Sequence, residues 1–122
     1  MKEIESVEAA SLRMTPAVYQ ILLSLADGER HGYGIMQEVE GRTSGEVRLG
    51  PGTLYRSIKR MRNAGLIQAT GGPLTGGDDE DRRRFYRITQ PGREVLANEA
   101  RRLARLVEQA QTKNVLDGLR RA

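Results

Sequence analysis

Residues 49–66, LGPGTLYRSIKRMRNAGL, leave little freedom in how this chain can fold. Leu54, Ile58 and Met61 recur at helical spacing and share one side. At about 100° per residue, Arg56, Lys59, Arg60 and Asn63 point roughly the other way. Glycine punctuates the segment at both ends: Leu49-Gly50-Pro51-Gly52 leads in and Gly65 closes it. Such a helix buries its apolar side and offers guanidinium and ammonium groups on the other. The surroundings extend the pattern. The sequence holds 16 acids, yet none lies between residues 47 and 77, where Arg48, Arg56, Lys59, Arg60 and Arg62 sit. That exclusion describes a surface suited to a polyanion.

Composition narrows the alternatives. A length of 122 residues allows one domain with room for an extended element. The net charge of +4 suits a nucleic-acid binder without requiring one. With no cysteine there is no disulfide framework, thiolate metal site or cysteine nucleophile, which fits the expected cytoplasmic location. The first 13 residues carry Glu3, Glu5 and Glu8 and lack the apolar core of a secretory leader. No run approaches the roughly 18 apolar residues of a membrane span. His31 is the single histidine and is expected to start a helix or pack, so neither a metal site nor a cofactor is expected. No catalytic constellation is present, and the pairs Gly71-Gly72 and Gly76-Gly77 lack the Lys-Ser/Thr of a phosphate loop. The expectation is a protein that is not an enzyme.

Three regions follow. Residues 1–14 form an N-terminal extension, read either as a short amphipathic helix or as a frayed terminus. Residues 15–89 form a domain. In it, Thr15-Pro16 starts a helix striped by Val18, Ile21, Leu22 and Leu25, and His31-Gly32-Tyr33-Gly34 opens a second with Ile35, Met36 and Val39. The basic helix comes next, followed by strand candidates at 66–70 and 84–89 across a glycine-rich loop. Helices followed by a hairpin give the order of a winged helix-turn-helix. The fold class is thus mainly α with a small β-hairpin. In residues 90–122, Leu96, Ala100, Leu103, Val107 and Ala110 alternate steps of four and three, as in a coiled-coil seam. The helix is expected to reach about residue 119, with Asn114 as a polar seam position fixing register and the seam serving a homodimer.

The ordered set of motifs resembles the PadR-like family of transcriptional regulators, named for control of phenolic acid decarboxylase. The likeness rests on Ile21-Leu22-Leu23 with Asp27-Gly28 and His31-Gly32-Tyr33-Gly34-Ile35, on LGPGTLY at 49–55 with Lys59-Arg60 and Gly65-Leu66-Ile67, and on RRRFYRIT at 82–89 with Gly92. The single helix after the wing is similar to that of the shorter subgroup, whose C-terminal part is one dimerisation helix. The resemblance implies a homodimeric repressor on a near-palindromic operator. It also implies phosphate or sugar contacts from Thr53 and Tyr55, and wing contacts from Arg82, Arg83 and Arg84. Arg56 and Arg60 are expected to reach base edges and Lys59 the backbone. Helix-start amides near Tyr33-Gly34 and Gly52-Thr53 are expected to hold phosphates. The resemblance further implies a hydrophobic or phenolic effector near the seam. The chain has no aromatic after Tyr86, which argues against stacking of a flat ligand there and for a structural seam.

Bland readings stand beside these. The basic face can be solvated surface, and Tyr55 can simply pack on its neighbours. The acids Asp78-Asp79-Glu80-Asp81 sit badly at a wing tip meant to touch phosphate. Two other functions compete: a hydrophobic small-molecule sensor or sequestering protein with weak DNA binding, and a module that pairs with another protein through its last helix.

Overall fold

The computed structural model describes residues 14–71 and 84–117. The expected extension at 1–13, the acidic stretch 78–81 and the arginines 82 and 83 lie outside those residues. Within them the order is α1 (Pro16–Ser24), β1 (Arg30–His31), α2 (Gly32–Arg42), α3 (Pro51–Asn63), β2 (Ile67–Thr70), β3 (Phe85–Ile88) and α4 (Gln90–Thr112). This is a winged helix-turn-helix followed by a long helix.

Each helix begins where its local chemistry dictates. Thr15 accepts a hydrogen bond from the Val18 amide at 3.1 Å, with proline in the first turn of α1. His31 caps α2 through Nδ1, which accepts from the Gly34 amide at 2.9 Å. Thr89 caps α4, accepting from the Gly92 amide at 3.1 Å. The connection from α2 to α3 turns on Ser44 and Gly45, both at positive φ. Thr43 ties it down: its hydroxyl donates to the Val39 carbonyl at 2.8 Å and accepts from the Val47 amide at 3.0 Å.

The stripes read from the sequence converge on one core. Val18, Ile21, Leu22 and Leu25 meet Ile35, Val39, Leu54, Ile58 and Met61, and all are buried. Tyr86 and Ile88 share the inner face of β3 and are buried with Leu66 and Ile67. Leu96 closes the core from α4. Gly92 permits this closure, because a β-carbon there would collide with the Leu66 carbonyl oxygen. The Thr89 amide donates to that same carbonyl at 3.0 Å, and the Thr89 hydroxyl donates to the Gly65 carbonyl at 2.6 Å. The start of the last helix is thereby locked to the turn after α3.

Two expectations change. The sheet has three strands rather than a bare hairpin, in the order β1-β3-β2 and antiparallel throughout. Arg30 and His31 pair with Tyr86 and Phe85, a strand too short to carry any alternation in sequence. The long helix also stops before residue 119. It ends at Thr112, and Asn114 takes φ 61 before helical geometry resumes at 115–117. Asparagine tolerates the left-handed conformation better than most residues, so it ends the helix rather than extending a seam.

Candidate nucleic-acid interface

Helix α3 is divided as its spacing requires. Leu54, Ile58 and Met61 are 0–2% exposed, while Gly52, Thr53, Arg56, Lys59, Arg60 and Asn63 lie on the solvent side. The aliphatic anchors hold the helix by burial worth about 1.5–3 kcal/mol each. An open groove runs along it, lined by Gly52, Tyr55, Arg56, Ile58, Lys59, Arg62 and Asn63.

Outside this face, most described cations are engaged within the protein, Arg105 and Lys113 excepted. Arg30 donates to the Ser24 carbonyl at 2.8 Å, Arg42 binds Glu38 and Gln20, and Arg87 binds Gln68. Arg93 reaches the Ala26 carbonyl, and Arg102 pairs with Glu99 at 2.6 Å. Arg48, from the same acid-poor stretch, pairs with Glu40 at 3.2 Å and so stands apart from α3. Arg56, Lys59 and Arg60 have no hydrogen bond or ion pair among the described residues. Three positive charges stand in water on one rigid helix with no neutralising acid on that helix. Phosphate binding there breaks no internal ion pair.

The helix starts also differ. Thr15, His31 and Thr89 each cap a helix with a side chain, whereas Gly50 at the start of α3 makes no such bond. Both Gly52 and Thr53 are exposed, and in the first turn their amides lack the carbonyl partner of the helix interior. The Gly34 amide, expected to meet phosphate, is instead held by His31 at 2.9 Å. Tyr33 beside it is 59% exposed and keeps its place on the outer surface. Tyr55 is half-buried, and its ring lies on Gly32, where any β-carbon would overlap the hydroxyl. It packs the first helix of the motif against the second, and that contact explains the glycine at 32. Arg84, just before β3, is half-buried and holds an interaction within the protein.

Residues 21–98 match the model of the transcriptional regulator PadR-like family. The chain belongs to that family. Curated proteins are also similar to the chain. One is a transcriptional regulator of Mycobacterium tuberculosis, 34% identical over 89 residues, covering 73% of this chain and 77% of the relative. Another is a 37.1 kDa protein of a Streptomyces fradiae transposon, 39% identical over 95 residues. This chain spans 25% of that relative's length, and the matched stretch is 78% of this chain. Bacillus subtilis PadR, solved in complex with operator DNA, shares the fold with a TM-score of 0.60 at 23% identity, covering 72% of this chain and 48% of that one.

The last helix of this PadR-like chain leaves most of its expected seam uncovered. Leu96 is buried in its own domain, but Ala100 is exposed, Leu103 and Val107 are 36% and 49% exposed, and Ala110 is half-buried. Leu106, at 46%, adds an apolar residue that the four-three seam passes over. On the same helix the Glu99 carboxyl is held below its ordinary range by the Arg102 hydrogen bond and charge. Among the described residues no helix is long and apolar enough to cross a membrane.

Proposed function

We propose that this PadR-like regulator is a homodimeric, sequence-specific DNA-binding repressor, with α3 as its recognition helix. The observation that carries the reading is the set of unpaired cations, Arg56, Lys59 and Arg60, on the exposed side of a helix anchored by its other side. A major groove about 12 Å wide admits such a helix. Arg56 and Arg60 have the fork geometry that grips the O6 and N7 of guanine. Lys59, the Gly52 and Thr53 amides and the Thr53 hydroxyl hold phosphates and fix register without reading sequence. Tyr33 and Tyr55 contribute backbone contacts, and Arg82, Arg83 and Arg84 of the wing sequence add to them.

The exposed apolar residues of α4 support the dimer, since a second copy covers Leu103, Leu106, Val107 and Ala110. Two α3 helices then face successive major grooves about 34 Å apart, on a near-palindromic operator. A hydrophobic effector bound between the α4 helices would change that separation and so release the operator. The operator-bound state of Bacillus subtilis PadR shows the same fold used on DNA by that protein.

Binding to the DNA upstream of its own gene, titrated against salt, tests the reading. A regulator prefers that DNA over random duplex by at least about 10³-fold, and its affinity falls steeply as added salt reduces the gain from releasing counterions. Equal and weak binding to every sequence contradicts it.

A further inference from the structure

We infer that Asn63, in the last turn of α3, reads a base edge and fixes part of the operator sequence; this rests on the DNA-binding reading above. The placement follows from helical phase. Taking Gly52 as zero, Arg56, Asn63 and Lys59 fall at about +40°, +20° and −20°. Arg60 and Arg62 stand at about +80° and −80°, on the two flanks. The line farthest from the core is therefore Gly52, Arg56, Lys59 and Asn63, and all four border one open groove. Asn63 is exposed, and its side chain has no hydrogen bond among the described residues.

Its chemistry separates it from its neighbours. Every other long polar side chain turned outward on this helix is a cation, which attracts any phosphate. An amide carries no charge, so it adds nothing to the electrostatic part of binding. Instead it presents one acceptor and two donors in a plane, the pattern that pairs with N6 and N7 of adenine. A capping role does not account for it: the carbonyls of Arg60 and Arg62 accept from the backbone amides of Ala64 and Gly65. Asn63 lies seven positions after Arg56, a rise of about 10.5 Å along the helix. At 3.4 Å per stacked base, a helix lying along the groove sets the two contacts about three base pairs apart. The half-site accordingly contains a guanine for Arg56 and an adenine about three base pairs away.

Selection of binding sites from a random duplex library, with the full chain as wild type and as Asn63→Ala, tests this. The wild type enriches a motif with guanine and adenine at that spacing. Asn63→Ala loses roughly ten-fold or more of the preference at the adenine position alone, keeping its salt slope and its melting temperature. An unchanged motif in Asn63→Ala overturns the assignment. So does uniform weakening at all sequences with a shallower salt slope, which marks a backbone contact. A wild type that enriches no motif overturns the DNA-binding reading itself.

Discussion

Helices α3 and α4 are both amphipathic, but their apolar sides meet different fates. The apolar side of α3 is sealed: Leu54 and Met61 are 0% exposed. The apolar side of α4 is sealed at Leu96 and then runs out into water, where Val107 is 49% exposed. The polar sides differ as well. On α4 the cations Arg101 and Arg102 bond Asn98 and Glu99 on their own helix, whereas on α3 Arg56, Lys59 and Arg60 have no partner among the described residues. One helix is complete toward the protein and unfinished toward charge. The other has most of its cations engaged, with Arg105 free among the described residues, and is unfinished toward apolar surface. On the proposed reading, the first meets a polyanion and the second a copy of itself.

Substitutions can break that contrast. Leu54→Ala removes a fully buried anchor of α3 and costs about 2–5 kcal/mol. Thermal unfolding should show the midpoint falling by many degrees; an unchanged midpoint would mean the anchor does not hold the helix. Gly32→Ala pushes a β-carbon into the Tyr55 hydroxyl and strains the packing of α2 on α3 by about 1–3 kcal/mol. Replacing Tyr55 with phenylalanine in the same chain should recover part of that loss, and melting of the single and double variants reads the recovery. Leu103→Glu acts on the other helix: it places a charge in the α4 seam and leaves the winged domain folded. Sedimentation should show monomers, and the melting midpoint should stop depending on protein concentration. A dimer that persists would put the interface elsewhere.

The smallest effect concerns Glu99. Its carboxyl is held low by the hydrogen bond and charge of Arg102. A depressed carboxylate stabilises the fold above its ordinary range, and that contribution disappears as pH falls through the lowered value. Glu99→Gln should therefore narrow the stability difference between neutral and acidic solution only slightly. A large change would show that the pair is more deeply covered than it is in one protomer.

The α3 region was legible in the sequence because its signals agree. Apolar spacing, glycine punctuation at both ends and missing acids all describe the same element. Tyr86 and Ile88 were legible for the same reason, alternating along β3. What the sequence hid depends on contacts between distant residues. The strand at Arg30 and His31 exists because β3 offers an edge to it. His31 starts α2 as expected, but no spacing rule showed that it would occupy the Gly34 amide. Tyr55 packs on Gly32 across the motif. The end of α4 misled for a local reason: Asn114 fits the seam by count, yet its backbone adopts the left-handed turn. Leu106 went unmarked because a strict seam follows steps of four and three, whereas the apolar face of α4 is wider.

The central claim is that the uncovered cations of α3 read DNA. Its most direct test is the ratio of affinities for upstream DNA and random duplex, measured for the wild type and for Arg56→Ala combined with Arg60→Ala. The account predicts that the double variant stays folded and dimeric while the ratio collapses by about 10²-fold or more. A double variant that keeps the wild-type ratio would contradict it.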